Sequence, residues 1–303
     1  MNANRLEQTC NEVNSKSFWT LLKSTNASQK RSPDINIENW QSHFEQLLNV
    51  DENGNERDPV EIPHVNTNHE LPNVLVAEIC SSPITEEEVD REVTSLKAGK
   101  ASGPDMIIPE FIKVGKLCTL TVLTRLLNVA FDVGYFPIEW SKSIVVPLFK
   151  KGDTSKLDNY RGISLSSIVS KVYTKVLNSR LRFWADATDV ISEAQALFRR
   201  NYSTIDNVFT LHTLIHRNVA KTKGRFYCAF LDFSKAFDYV DRDKLLMMLE
   251  MKGVNGKLLQ AIKAVYRCVQ SCVRVGQQCS EYFNCTIGVK QGCILSPLLF
   301  SFT

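Results

Sequence analysis

The sequence predicts an α+β fold: a small, mostly antiparallel sheet with helices packed mainly on one face. Three observations predict it. Apolar residues recur at helical spacing in several separate segments between Ile37 and Arg267. Two short apolar runs, 143–149 and 226–233, read as strands. Two further runs, 272–275 and 282–287, read as a hairpin. No internal repeat interrupts this order.

Each element has a local reason. From Ile37 to Leu48, Trp40, Phe44, Leu47 and Leu48 share one helical face. The acidic, Asn- and Pro-rich stretch 51–72 that follows reads as a linker or mobile arm. Thr85 with Glu88 three positions on is the signature of a capping box, and Val89, Val93 and Leu96 line the helix behind it. Gly99, Gly103 and Pro104 make 97–105 a loop. Leu120, Leu123, Leu127 and Phe131 define a helix over 117–133, closed by Gly134. Pro147 has no N–H to give, so the strand 143–149 belongs at an edge or a bulge. A long helix runs from about Leu165 to Trp184 with Ile168, Val172, Val176 and Leu181 inward, and another from about Thr204 to Ala220. The run 226–233 is almost entirely apolar, as a strand buried on both faces should be. Helices over 242–251 and 256–267 and the hairpin follow. The loop 288–297 then leads into a helix starting near Pro297.

Length and composition bound the class. The 303 residues suffice for one large domain or two modest ones. At 44% apolar and 23% charged the chain reads as soluble and globular. No apolar run approaches the ~20 residues of a membrane span, and the N-terminus has no secretory core, so the expected location is intracellular, nucleus or cytoplasm. Nine cysteines without any Cys-x-x-Cys pair favour reduced thiols over a disulfide framework. Cys268, Cys272, Cys279 and Cys285 flank the hairpin; buried thiols are favoured there over a zinc site. His212 and His216 have zinc-ligand spacing, but Thr213 stands where a His-Glu-x-x-His site needs Glu, so a simple histidine pair is favoured. The net charge of +3 hides a polarity: residues 1–95 hold 7 Lys/Arg against 17 Asp/Glu, and 96–303 hold 29 against 16. A block of +13 is a phosphate-backbone footprint or a solvated helical surface.

The densest chemistry is Phe230–Asp238, where Asp232 ends the apolar run and Asp238 follows six residues later. Mg²⁺ takes hard oxygen ligands, usually one or two carboxylates plus substrate phosphates. A carboxylate at the end of a rigid strand would hold such an ion, with the aromatic ring of Phe237 near an incoming sugar. Asp238 either orients the loop or caps the helix that starts near Asp241. Taken alone, Asp-x5-Asp is a weak signal and more often marks the end of a strand in a polar turn.

Six ordered segments give that motif a context. They are Trp40–Asn49, Lys97–Asp105 (Lys-Ala-Gly-Lys-Ala-Ser-Gly-Pro-Asp), Phe149–Asp153 with Asn159–Leu165, Gln195–Phe198, Ala229–Asp238 and Gly288–Pro297. Together they resemble the reverse transcriptases of non-LTR (LINE-type) retrotransposons. The resemblance implies the fingers and part of the palm of a right-hand polymerase. It places an N-terminal helix and flexible acidic linker in 1–82, a fingers-like region in 83–223 and a partial palm in 224–303. It implies RNA-directed DNA polymerase activity: a primer 3′-OH attacks a deoxynucleoside triphosphate on an RNA template, with two Mg²⁺ ions about 4 Å apart, Mn²⁺ being an alternative. Asp232 resembles the metal ligand, joined by the backbone carbonyl of Phe233. Phe237 resembles the aromatic gate under the sugar. Lys150 or Lys151, with Arg161, resemble the cations that hold the triphosphate. Gln291 and Gly292 resemble the pair that approaches nucleotide and template, where glycine leaves room.

Two departures from the family pattern stand out. Leu197 occupies a position where the family usually has Gly; a positive φ there would strain it by roughly 1–2 kcal/mol. The family's aromatic-x-Asp-Asp motif, which carries the second catalytic carboxylates, occurs nowhere in the chain. The chain alone is therefore expected to be truncated before that motif, marginally stable and catalytically silent, with the 226–233 strand left as an exposed edge. A non-catalytic nucleic-acid-binding remnant and a pseudogene product are the competing expectations.

Overall fold

The computed structural model describes residues 35–49, 78, 80–192, 194–198, 202–221 and 224–303. The predicted acidic linker lies outside them. Helix α1 (Ile37–Leu47) buries Trp40 and Phe44, two of the residues its periodicity singled out. Helix α2 (Glu86–Thr94) carries the expected capping box: Thr85 Oγ1 accepts from Glu88 N–H, and Glu88 accepts from Thr85 N–H at 2.9 Å. Helices α3 (Pro109–Val114) and α4 (Lys116–Val133) follow, and α4 is closed by Gly134 at φ 64°. The short α5 (Ile138–Ser141) leads into β1 (Lys142–Phe149). Beyond them lie β2 (Tyr160–Ser166), α6 (Ile168–Thr188), α7 (Thr204–Val219), α8 (Arg242–Met251) and α9 (Gly256–Arg267). Strands β3 (Gln270–Val275), β4 (Gln278–Cys279) and β5 (Phe283–Asn284) and helix α10 (Ser296–Phe300) complete the order.

The sheet has the order β2-β1-β3-β4, with β5 also paired to β3. Only the β1–β3 pair is parallel. The pairing accounts for Pro147. β1 pairs β2 along its length, but its pairing with β3 stops at Val145↔Val273, so Pro147 lies where one side of the strand is open. The return strand of the hairpin is split. Between the Arg274↔Cys279 and Ser271↔Phe283 pairs the register slips by one residue, the signature of a bulge. Gly276 turns the hairpin at φ 61°.

Helix α6 is the axis of the core. It buries Val172, Tyr173, Val176, Leu177, Leu181 and Trp184 against α2, α5 and α9. Its Arg180, also buried, donates to both Glu88 oxygens at 2.8 and 2.7 Å and to the carbonyls of Ser82 and Pro83. Burial alone would raise the Glu88 carboxyl. The Arg180 guanidinium and the Thr85 N–H outweigh it and hold Glu88 below its ordinary value. One residue thus closes the N-terminus of α2 and ties it to α6.

Three sequence expectations are corrected. Tyr160–Ser166 is a strand, so the long helix begins at Ile168 behind the Ser167 cap rather than at Leu165. Its polar residues and Gly162 hid the strand. The run 226–233 is no strand: it is irregular and exposed, with Phe230 82% and Leu231 91% accessible. Among the described residues no strand pairs with it, and an apolar run without a ladder partner has nowhere to put its N–H groups but water. Leu197 does not have the positive φ; that conformation falls on Phe198, at 62°. The Phe198 carbonyl accepts from Arg182 and its ring meets Phe237 edge-on, so surrounding contacts hold the strained residue.

Helix α1 sits on the sheet through Gly162. A Cβ built there would lie 2.6 Å from Phe44 Cε1 and 2.8 Å from Val145 Cγ1. Both side chains are buried, each at 2% exposure. Gly162→Ala is expected to destabilise the chain by about 1–3 kcal/mol, the usual cost of overpacking, measured as a shift in the urea midpoint. An unchanged midpoint would show that α1 is not seated there. The C-terminus of α1 is sewn to the hairpin exit as well. Leu48 O accepts from Thr286 and Ile287 N–H, and Asn49 bonds both Asn284 O and Thr286 N.

Candidate active site

Segments far apart in sequence meet around a cavity of about 480 Å³. Eight of the nine predicted site residues line it: Lys150, Arg161, Asp232, Phe233, Phe237, Asp238, Gln291 and Gly292. Lys151 is exposed and does not. The choice between the two lysines follows from the turn after β1. Lys150 N–H donates to Asn159 O at 2.9 Å, and the Asn159 side chain donates back to Asp153 O. Lys150 therefore continues the strand ladder opposite the residues leading to Arg161, while Lys151 rides the outside of the turn.

The 288–293 loop is fixed on two sides. Toward the 232–241 segment, Val289 N–H donates to Phe237 O and Gly288 N–H to Val240 O, each at 2.8 Å. Gly288 (φ 77°) has no alternative, because a Cβ would meet Asp238 O at 2.6 Å. Toward β2, Gln291 O accepts from Ser164 N–H at 2.8 Å, and Gly292 (φ 114°) approaches Ser164 so closely that a Cβ would lie 2.8 Å from its carbonyl oxygen. Glycine at 292 is thus required by backbone contact within the chain.

The side chains around the cavity divide by exposure. Asp232 is exposed, as is Phe233. Asp238 is half-buried, and both its oxygens accept from Gln291 Nε2 at 2.8 Å. Burial pushes its carboxyl up, against the Gln291 bond and the charges of Lys235 and Arg161. Of the two roles open to Asp238, the loop-orienting one is what these bonds describe, since the cap of α8 is Asp241. The Phe237 ring is stacked on Phe300 at 4.9 Å and meets Phe198 edge-on at 6.2 Å. Lys290 donates to Ser141 O at 2.7 Å, and burial lowers its ammonium to about 8.

Several contributors were not read from the sequence. Phe198 and Ser164 lay inside quoted motifs without an assigned role. Arg242 gave no signal. It is buried and donates to the carbonyls of Cys285, Ile287 and Gly288, at 2.6, 2.9 and 2.8 Å, holding the chain that enters the loop. His212 and His216 lie on α7, which buries none of its residues, and their rings are 4.4 Å apart. Among the described residues no group of three or more His, Cys, Asp or Glu is placed to hold an ion. No helix of the described residues is long and apolar enough to cross a membrane.

Comparison with known proteins is decisive. Residues 149–303, just over half the chain, match the family described as reverse transcriptase (RNA-dependent DNA polymerase). The chain belongs to the reverse transcriptase family. The RNA-directed DNA polymerase from mobile element jockey of Drosophila melanogaster is 29% identical over 223 residues, covering 73% of this chain and 24% of the relative. A 149 kDa protein of transposon TX1 from Xenopus laevis is 29% identical over 222 residues, 73% of this chain and 17% of the relative. The Pol polyprotein of a type-1 retrotransposable element R2 from Popillia japonica is 27% identical over 220 residues, 72% of this chain and 29% of the relative. This reverse transcriptase segment thus spans less than a third of the length of these relatives. The resemblance to non-LTR retrotransposon enzymes agrees with the jockey and R2 relatives, and the α+β architecture with its small mixed sheet is that expected of fingers and part of a palm.

Proposed function

We propose that these residues form the nucleotide-facing part of an RNA-directed DNA polymerase that acts on an RNA template, a DNA primer and deoxynucleoside triphosphates. The observation that carries this reading is the convergence of eight site residues, from segments up to 142 positions apart, on one cavity. Lys150 and Arg161 bind the triphosphate, where cations offset charge that grows on the transferred phosphate. Phe237 lies under the sugar, its ring held by Phe300 and Phe198. Asp232 and the Phe233 carbonyl are hard oxygen donors open to solvent, and they fit Mg²⁺, which completes its shell with substrate phosphates and water. A Mg²⁺ held by Asp232 and the Phe233 carbonyl would supply the positive charge that favours ionisation of a primer hydroxyl and offsets charge on the leaving phosphate. The chain holds no aromatic-x-Asp-Asp sequence, so we propose that these 303 residues bind nucleotide without extending a primer.

Ultraviolet crosslinking of radiolabelled deoxynucleoside triphosphate to the 303-residue chain tests the assignment. The label is expected on peptides that line the cavity and to be competed by unlabelled nucleotide. Losing both Lys150 and Arg161 to alanine should weaken it at least about tenfold, since a hydrogen bond to a charged group is worth ~1.5–3 kcal/mol. Lys151→Ala should leave it unchanged. Labelling that cannot be competed, or that maps elsewhere, would count against the proposal.

A further inference from the structure

Helix α4 carries two apolar faces, where a helix seated on a core needs one. Leu123, Leu127, Ala130 and Phe131 are buried. Val122, Leu126, Val129 and Val133, on another face, are 67%, 45%, 62% and 72% exposed. They stand four, three and four residues apart, the seam spacing of paired helices. Leu117 at 95% exposure and Tyr135 at 57% flank the stripe along the chain. An exposed apolar surface of this kind marks an interaction site.

The charges beside the stripe decide which partner fits. In a heptad, Leu126 and Val133 take position a, and Val122 and Val129 take position d. The g positions are then Arg125 and Asp132, exposed and of opposite sign, and the e positions are Leu123 and Ala130, buried and uncharged. Two parallel copies would set g against e, leaving each charge beside an apolar residue. Two antiparallel copies set a against d and g against g. Leu126 then meets Val129 of the second copy, Val122 meets its Val133 and Arg125 meets its Asp132, each contact made twice about a two-fold axis. Asp132 already accepts from Lys257 Nζ at 2.6 Å, but its side chain is 48% exposed, and a carboxylate accepts from several donors. We infer that the exposed face of α4 is an interface between two copies of this chain, paired antiparallel through this stripe with Arg125 and Asp132 crossing at its edges. The inference is independent of the nucleotide reading.

Sedimentation equilibrium of the 303-residue chain at micromolar concentrations tests this and should show a monomer–dimer equilibrium. Val129→Glu places a charge in the centre of the seam and should weaken the dimer at least about tenfold. At dilutions where the chain is monomeric, the same variant should keep the wild-type thermal midpoint, because the side chain is exposed in the single copy. Arg125→Asp sets a carboxylate against Asp132 of the second copy and should weaken the dimer about fivefold. Adding Asp132→Arg reverses both charges and should restore the dimer to within about twofold of wild type. A chain that stays monomeric at every concentration overturns the inference, as does a dimer that tolerates Val129→Glu. A monomer whose thermal midpoint falls with Val129→Glu assigns the face to another segment of the same chain and overturns it equally. Equal weakening by Arg125→Asp and by the double variant overturns the antiparallel arrangement.

Discussion

Replacing Asp232 by asparagine is expected to lower primer extension roughly a thousand-fold or more in a polymerase that carries this segment, because loss of a metal-held charge costs several kcal/mol at the transition state. The same change should leave folding almost untouched. Asp232 is exposed, and exposed substitutions away from caps and networks usually shift stability by less than about 0.5 kcal/mol. The contrast between the two readouts is the content of the prediction. Asparagine has the shape of aspartate and one oxygen of its two, but no charge, so it neither attracts a divalent cation strongly nor displaces its neighbours. Single-turnover extension of a DNA primer on an RNA template, with Mg²⁺ supplied, measures the loss, and thermal unfolding measures the fold. Extension within threefold of wild type would remove Asp232 from the chemistry. A large loss accompanied by a lower unfolding midpoint would make Asp232 structural instead.

The elements that were legible in the sequence are those whose reasons are local. Thr85 with Glu88 marks a helix start because the two bonds close within one turn, and the structure shows both. Gly134 marks a helix end because a left-handed residue is needed there. The strand 226–233 was misread because hydrophobicity reports what a segment would bury, and not whether a ladder partner lies beside it. β2 was missed for the converse reason. Tyr160–Ser166 has weak strand character of its own and owes its conformation to pairing with β1. At the site, residue types were legible and contacts were not. Asp238 could be named as a supporting acid, but its choice between loop and cap depended on Gln291, 53 positions away.

Arg242→Met is expected to cost about 3–5 kcal/mol, one of the largest single losses available in this chain. The side chain is 9% exposed and runs from the first turn of α8 to the carbonyls of Cys285, Ile287 and Gly288. Its guanidinium also lies 5.4 Å from the centre of the Tyr266 ring. Methionine fills much of the volume but gives no donor, so the carbonyls of the buried residues Cys285, Ile287 and Gly288 lose their partner. Each unsatisfied buried group costs roughly 1–3 kcal/mol. With total stabilities of about 5–15 kcal/mol, such a loss removes a large fraction of the whole. At ~2–4 °C per kcal/mol for a domain of this size, the thermal midpoint should fall by about 10 °C. Arg267→Met, on the exposed end of α9, is the control and should stay within about 0.5 kcal/mol. Arg242→Lys decides between charge and geometry. Lysine keeps the charge and the stem, but a single ammonium does not span three carbonyls that a planar fork reaches at once. If the fork is what holds the loop entrance, lysine recovers less than half of the loss. If lysine restores full stability, the buried charge alone suffices and the three-carbonyl clamp is not the cause.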